Sequence, residues 1–174
     1  MIMSNQKEFR YDLIWEKSNG VGFLNSNKQP LRFHELIYVF SKKGAFYNKI
    51  DIEVEGAKGY KQKAGIINGN CYGKKFQYGS TRLEDGFRCA KSIITSKSVR
   101  CKGNHPTEKP IDLYKFLIER YSNEGDTILD PTFGSGNSGL ASRELKRKYI
   151  GIEKNETFFK KFENIWNVVI DNEN

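Results

Sequence analysis

The sequence has no long apolar run and only a modest hydrophobic content. Its 174 residues are 37% hydrophobic, and no apolar stretch approaches the roughly 20 residues that a membrane-spanning helix needs. The first residues, MIMSNQKEFRYDLIW, lack the basic segment and apolar core of a secretory signal. These absences argue against a membrane protein and predict a cytoplasmic one. The length suits one domain with its own core, at most with a smaller lobe attached.

Cysteine is scarce and irregularly placed. Cys71, Cys89 and Cys101 form no CxxC pair, and an odd number of thiols leaves one unpaired under any disulfide scheme. That usage suits a reducing compartment. Together with His105 the three cysteines provide the ligand types of a zinc site, but their irregular spacing favours three ordinary thiols and no metal site.

Positive charge is concentrated in the middle of the chain. Residues 41–104 contain 14 Lys or Arg and 5 Asp or Glu, a balance of +9, whereas the other residues hold 15 against 16, a balance of −1. The segment interleaves its cations with aromatic residues, as in CYGKKFQYGSTR. This composition suits a surface that binds nucleic-acid phosphates and stacks rings on bases, or a solvated lysine-rich surface without a partner. The candidate DNA contacts are Lys74, Lys75, Arg82 and Arg88.

The flanks of this segment predict regular structure. The runs YDLIW and ELIYVF, rich in β-branched and aromatic residues, predict two strands. After the basic segment, Pro110 begins an amphipathic helix, and the strand DTILD follows it. A glycine turn, a helix over about 137–148, the strand KYIGIE and a last helix capped by Asn155 complete the chain. The C-terminal third is therefore predicted as α-β-α-β-α, a piece of a doubly wound α/β sheet.

The stretch DPTFGSGNSG, residues 130–139, holds a GxGxxG pattern directly after the apolar run TILD. A nucleotide-binding βαβ unit has an acidic residue about 20 positions after its first glycine, and Glu153 follows Gly134 by 19 positions. A dinucleotide would place its pyrophosphate at the turn, where Asp130 would repel it. S-adenosylmethionine carries positive charge, has a ribose and has no phosphate, so it suits both acids.

Two alternatives to this interpretation differ in strength. A nicotinamide-dependent oxidoreductase is disfavoured by Asp130 and by the short sequence after Glu153, which leaves no second half of a dinucleotide fold. A glycine turn that serves only the packing of strand against helix stays open.

Three motifs carry a resemblance to a known family. They are HPTEKP at 105–110, LDPTFGSGNSG at 129–139 and YIGIEKNETFF at 149–159, supported by RYDLIWEK and GFLNSNKQPLRFHELIYVF. With these motifs the sequence resembles the DNA methyltransferases that modify the exocyclic amine of adenine N6 or cytosine N4, in their permuted β-type motif order. HPTEKP ahead of the glycine turn is the most specific element.

The resemblance implies a partial Rossmann-like, α/β fold of S-adenosylmethionine-dependent methyltransferases, with an inserted basic target-recognition region. Residues 1–40 and 105–174 would form the methyltransferase part, and residues 41–104 the region that recognises double-stranded DNA. Lys109 would meet the methionine carboxylate, and Glu153 the ribose. The cofactor-binding residues implied in this way are His105, Thr107, Lys109, Asp130, Phe133, Gly134, Gly136, Asn137, Ser138 and Glu153.

One element of the family pattern is missing. Methylation of an exocyclic amine needs a flipped base whose amino group is held by protein oxygens beside an aromatic ring, and the family supplies these with a DPPY-type motif. The prolines here are Pro30, Pro106, Pro110 and Pro131, and none of them are adjacent. Catalytic residues are therefore unassigned. The family's strand with this motif lies between the strands predicted at DTILD and YDLIW, so its absence predicts a gap in mid-sheet.

Two functions follow from the resemblance. The first is the C-terminal part of a site-specific DNA methyltransferase, of the kind found in restriction-modification, whose gene has been truncated or split; if it is split, a separate chain carries the DPPY-type motif. The second is a catalytically inactive remnant that binds DNA, S-adenosylmethionine or both. Under either hypothesis the chain alone is expected to be inactive.

Overall fold

The computed structural model describes residues 2–68, 75–78, 80–97, 105 and 107–171. Two compact units divide the chain: Met1–Asn48 with Ser92–Asn174 form the first unit, and Lys49–Lys91 form the second. None of the helices in the described ranges is long and apolar enough to cross a membrane.

The elements are numbered in chain order. The described strands are β1 (Phe9–Val21), β2 (Arg32–Phe40), β3 (Ile52–Glu53), β4 (Tyr60–Gln62), β5 (Gly65–Asn68), β6 (Lys75–Tyr78), β7 (Thr81–Leu83), β8 (Phe87–Arg88), β9 (Ile93–Ser96), β10 (Thr127–Asp130) and β11 (Lys148–Gly151). The described helices are α1 (Ile111–Tyr121), α2 (Asn137–Glu144) and α3 (Glu156–Asp171).

A three-stranded sheet in the order β2-β1-β9 lies in the first unit. β1 pairs antiparallel with β2 and parallel with β9. Alternate residues of β1 point to one face, where Trp15 is 2% exposed and packs in a cluster with Leu13, Ile94 and Leu113 of α1. This cluster is the apolar core of the unit, and it fixes α1 against the sheet.

The second sheet of this unit is the parallel pair β10-β11, with Leu129 opposite Ile150. Its order of elements confirms the predicted α-β-α-β-α arrangement of the C-terminal third. α2 is shorter than predicted, because Lys146 adopts a φ of 59° and so leaves the right-handed helical region. Asn155 caps α3 as predicted, since its Oδ1 accepts the backbone N–H of Thr157 at 3.0 Å.

Among the described elements, helices pack against only one face of each sheet. On the other face of β2-β1-β9, Leu36 and Ile93 flank Ile14 in one row and are 46% and 50% exposed. On β10-β11, the opposed pair Leu129 and Ile150 is 60% and 54% exposed. Among the described strands, β10 has no neighbour other than β11, and the two sheets stay separate. Both edges of β1, the strand of YDLIW, are occupied by β2 and β9, so no open position lies directly beside it, and the predicted missing strand stays a prediction.

The second unit consists of three nested antiparallel pairs, β3-β8, β4-β7 and β5-β6. One register runs from Tyr60 opposite Leu83 to Asn68 opposite Lys75, so the inner two pairs form a single hairpin arm. Its strands are joined through residues 69–74, which lie outside the described part of the chain.

The compact second unit is narrower than the segment 41–104 that composition singled out. Asn48 belongs to the first unit because its Nδ2 donates to the carbonyls of Glu119 and Ser122 at the end of α1, both at 3.0 Å. Ile93–Ser96 belongs there because it pairs with β1. Residues 49–91 hold nine Lys or Arg and five Asp or Glu, so part of the basic surplus lies outside the second unit. A role in target recognition stays a prediction.

Candidate cofactor-binding site

The site begins where β10 ends, at Asp130. Its Oδ1 accepts the backbone N–H of Thr132 at 3.0 Å, and its Oδ2 accepts the hydroxyl of Ser138 at 2.6 Å. Ser138 lies in the first turn of α2, where negative charge is favoured by the unsatisfied amides of the helix start. The carboxylate therefore holds the turn between β10 and α2 closed.

The turn needs glycine at two of its positions. Gly134 and Gly136 have φ angles of 56° and 80°, in the left-handed region that side chains disfavour. A Cβ on Gly136 would also overlap the ring of Phe162 from α3, and one on Gly139 would lie 2.8 Å from ring atoms of Phe162 and Tyr149. Packing of α3 thus explains Gly136 and Gly139, as the packing alternative expects, whereas Gly134 faces the segment that precedes α1.

Glu153 follows β11 and reaches back to the turn. Its Oε2 accepts the backbone N–H of Gly134 at 3.0 Å, and its Oε1 accepts that of Asn155 at 2.8 Å. The Asn155 amide holds the pKa of Glu153 below its usual value; partial desolvation opposes this, while the Gly134 amide and nearby His105 reinforce it. Glu153 is therefore a carboxylate fixed against the glycine turn.

The segment before α1 packs over the same turn. The ring of His105 lies 3.3 Å from the position of a Cβ on Gly134, and its centroid is 4.3 Å from that of Phe158. His105 Nδ1 accepts the backbone N–H of Thr107 at 3.2 Å. Asn137, the first residue of α2, donates to the Glu108 carboxylate at 2.9 Å and to the Lys109 carbonyl at 2.8 Å. The two contacts of Asn137 tie Glu108 and Lys109 to the start of α2.

Two of the predicted cofactor residues have other partners in the structure. The Lys109 ammonium lies 2.9 Å from Glu35 Oε2 on β2, and no ligand is needed to neutralise it. The Phe133 ring is 4% exposed and packs against Phe159 and Phe162. Phe133 therefore offers a ligand its backbone rather than its ring.

The structure brings all the predicted cofactor residues together at the carboxyl ends of β10 and β11. Sequence reasoning missed several of their neighbours, which are Glu35, Glu108, Tyr149, Phe158 and Phe162. The Tyr149 hydroxyl lies 2.9 Å from Ser138 Oγ, and burial raises the pKa of Tyr149 to about 12. Phe158 and Phe162 lie on α3, and their contacts with His105 and Gly136 depend on the fold.

The predicted DNA contacts lie on the second unit. Arg82, on β7, is exposed and directly opposite Lys61 on β4. Arg88, on β8, is half-buried and donates to the Phe87 carbonyl at 2.6 Å. Lys75 lies on β6, and Lys74 lies outside the described residues.

The described part of the chain does not support the zinc-site alternative. No group of three His, Cys, Asp or Glu side chains there is arranged to hold a metal ion. Cys89 is an exposed free thiol, while Cys71 and Cys101 lie outside the described residues.

Comparison with solved structures identifies the class of fold. The crystal structure of the M1.HpyAVI–SAM complex matches with a TM-score of 0.60 at 24% identity, over 95% of this chain and 66% of that one. The cytosine-N4-specific PvuII DNA methyltransferase matches with a TM-score of 0.57 at 16% identity, over 98% and 60%. The chain therefore has the α/β methyltransferase fold, as predicted.

Comparison of sequences identifies the family. The model of the DNA methylase family, of the N6/N4 type, matches residues 1–164, and the chain belongs to this family. Type II methyltransferase M.XycI from Xanthomonas campestris pv. cyanopsidis is 27% identical over 149 residues, 86% of this chain and 41% of the relative. M.HindIII from Haemophilus influenzae is 45% identical over 69 residues, 40% of this chain and 21% of the relative. The chain thus spans well under half the length of these relatives.

Replacing Gly136 with alanine tests whether the turn depends on the contact with Phe162. Gly125 is the matched control, since its φ of 83° is similar and a Cβ there meets nothing within 4 Å. Backbone strain should cost about 1–2 kcal/mol at either site, and overpacking should cost Gly136→Ala about 1–3 kcal/mol more. Denaturant midpoints of both variants measure the difference. Equal losses of stability would contradict the packing role of Gly136.

Proposed function

We propose that this chain is the cofactor-binding and DNA-recognising part of a site-specific DNA methyltransferase. The reaction is transfer of a methyl group from S-adenosylmethionine to an exocyclic amino group of adenine or cytosine in double-stranded DNA. Membership of the DNA methylase family supports the reaction class. The observation that carries the cofactor assignment is the pair of carboxylates, Asp130 and Glu153, at the ends of two paired parallel strands.

The carboxylates at these strand ends accept hydrogen bonds and suit a ligand that carries positive charge and hydroxyl groups. Each carboxylate oxygen of Asp130 and Glu153 accepts one hydrogen bond from the protein, and each keeps a further lone pair for a ligand. Two fixed carboxylates repel a pyrophosphate, which disfavours a dinucleotide. S-adenosylmethionine fits because it offers an ammonium, a sulfonium and ribose hydroxyls. When bound, it supplies the activated methyl group.

Each part of the site has a role in this proposal. Glu153 holds the ribose, and Asp130 keeps the turn closed beside the cationic end of the cofactor. Gly134 allows the cofactor to approach the backbone of the turn closely, while Gly136, which packs against Phe162, and Phe133 contribute their backbone groups. The remaining proposed cofactor residues belong to the segment before α1 and to the first turn of α2: His105, Thr107, Lys109, Asn137 and Ser138.

The second unit is proposed to contact DNA through its hairpin arm. Residues 56–83 contain six Lys or Arg and no Asp or Glu. Lys61 and Arg82 lie directly opposite one another on β4 and β7, and both are exposed. Like charges in opposed positions destabilise a strand pair. Binding of DNA phosphates would relieve this repulsion, which favours DNA binding at this pair.

The missing catalytic motif is proposed to come from a separate chain. The sequence has no adjacent prolines and hence no DPPY-type motif. The uncovered sheet faces carry exposed Leu36, Ile93, Leu129 and Ile150, and β10 has a free edge among the described strands. Apolar faces and free strand edges favour association. A chain that inserts a strand beside β10 and covers these faces would supply the amine-holding residues and complete the sheet.

The cofactor assignment predicts a preference for S-adenosylmethionine over NAD. Glu153→Ala removes a charged hydrogen-bond acceptor, which should weaken S-adenosylmethionine binding by about tenfold to a hundredfold. Calorimetric titration of the folded chain with each ligand measures the preference. Glu124→Ala, a carboxylate loss elsewhere on the same unit, should leave the affinity unchanged. Tighter binding of NAD, or an affinity that is insensitive to Glu153→Ala, would refute the assignment.

DNA binding should depend on the hairpin arm. The double variant Lys61→Ala, Arg82→Ala should bind a DNA duplex more weakly, and the salt dependence of log affinity should fall by about one for each phosphate that the variant no longer neutralises. A second variant also neutralises Lys74, Lys75 and Arg88 and should bind weaker still. The matched control removes Lys7 and Lys28, which are exposed on the first unit. Equal mobility shifts for all variants would contradict a role of the arm.

Methyl transfer should require the second chain. The chain alone is expected to be inactive, because positioning of the target amine is worth several orders of magnitude in rate. Addition of the segment of a relative that carries its DPPY-type strand should restore transfer of labelled methyl groups to DNA. The control is the same segment with the first residue of that motif changed to alanine. Transfer by the chain alone would refute the need for a partner, and an inactive pair that still binds cofactor and DNA would favour the inactive remnant.

A further inference from the structure

Two lysines from separate parts of the first unit converge on one carboxylate. Lys17 Nζ, on β1, lies 3.3 Å from Glu35 Oε1, and Lys109 Nζ lies 2.9 Å from Glu35 Oε2. The Lys17 side chain is 8% exposed, whereas those of Lys109 and Glu35 are 33% and 39% exposed. An ammonium as buried as that of Lys17 needs a paired anion. Lys17 therefore holds Glu35 in place independently of Lys109.

Lys109 connects this carboxylate to the glycine turn. Its ammonium is bound by Glu35 and lies 5.5 Å from the centroid of the Trp15 ring. Its backbone carbonyl accepts a hydrogen bond from Asn137, the residue directly after Gly136. One residue thus contacts the β2-β1-β9 sheet with its side chain and the cofactor turn with its backbone.

Glu35 also competes with a bound cofactor for the ammonium group of Lys109. A cofactor carboxylate that binds the Lys109 ammonium has to share it with Glu35, whose pKa is lowered because the two ammonium groups outweigh the effect of burial. Glu35 stays an anion, so it does not release Lys109 by taking up a proton at neutral pH. The main effect of the Glu35–Lys109 ion pair is therefore to fix the position of the segment 107–109.

We propose that Glu35 is a positioning residue of the cofactor site, acting through Lys109. Lys17 anchors Glu35, Glu35 fixes Lys109, and the Lys109 carbonyl fixes Asn137 at the start of α2. This inference rests on the proposed binding of S-adenosylmethionine at the turn. It assigns a function to a β2 residue that does not touch the turn itself.

The test compares Glu35→Gln with a matched ion-pair loss. Lys115 and Glu144 form a 2.6 Å ion pair that also links two elements of the first unit, α1 and α2, so Glu144→Gln is the control. Glu35→Gln and Lys109→Met should each weaken S-adenosylmethionine binding about tenfold, and the double variant should weaken it no further, because the two residues act as one unit. Glu144→Gln should change the affinity less than twofold.

A second variant and a second readout keep the test decisive. Lys17→Met combined with Glu35→Gln leaves no unpaired buried cation, and it should still show the tenfold loss of affinity. Amide hydrogen exchange without cofactor should be faster at Thr107 and Glu108, whose backbone amides donate to His105, in Glu35→Gln than in Glu144→Gln. Loss of thermal stability without change in affinity or in local exchange would overturn the inference and leave Glu35 a structural residue.

The two proposals fail in different ways. If the unaltered chain does not bind S-adenosylmethionine, the proposed function fails, and the link from Glu35 to the cofactor fails with it even if local exchange changes. If Glu153→Ala weakens binding as expected while Glu35→Gln does not, only the positioning role is overturned.

Discussion

The parallel pairing of β10 with β11 is the constraint on which the candidate site depends. Its register places Asp130 opposite Gly151, and two backbone bonds extend it: Ile152 N–H donates to the Asp130 carbonyl at 2.9 Å, and Phe133 N–H donates to the Ile152 carbonyl at 3.1 Å. Since parallel strands end at the same edge, the residues after each strand are brought together. Glu153 reaches Gly134 because of this register, and a shift by one residue would turn each side chain to the other face.

The one-sided cover of the sheets connects the fold to the proposed partner. α1 packs its Leu113 against Leu13 and Trp15, while α3 packs Phe162 against the glycine turn and Tyr149. The opposite faces carry apolar side chains in register across neighbouring strands. A doubly wound sheet buries both faces, and under the proposed function these faces are where the partner packs. A separate chain as its source remains part of the proposal.

Much of the site was predictable because its residues follow strands and helices with strong patterns. The apolar run before Asp130, the glycine turn and the strand before Glu153 all indicate one α/β unit, and the family resemblance added the segment from His105 to Lys109. The fold class and family were confirmed in this way. The roles of the individual cofactor and DNA residues stay predictions.

The contacts that sequence did not predict are long-range or depend on local geometry. Glu35 lies far from Lys109 in the chain, and only the packing of α1 against the sheet brings them together. The sequence did not predict the strand Ile93–Ser96 within the basic segment, because its pairing with β1 is set by tertiary structure. Composition showed where charge accumulates, but it did not show that the chain returns to the first sheet at that strand.

The common register of the two strand pairs in the hairpin arm limits how the length of the arm can vary. The pairs Tyr60–Gln62 with Thr81–Leu83 and Gly65–Asn68 with Lys75–Tyr78 keep one common register. Because side chains alternate along a strand, inserting two residues in each strand lengthens the arm by about 7 Å and leaves every existing side chain on its original face. The pairs at the base, Ile52 with Arg88 and Glu53 with Phe87, keep their partners. Homologous arms are thus free to differ in reach by whole steps of two residues, a change that point substitutions cannot make.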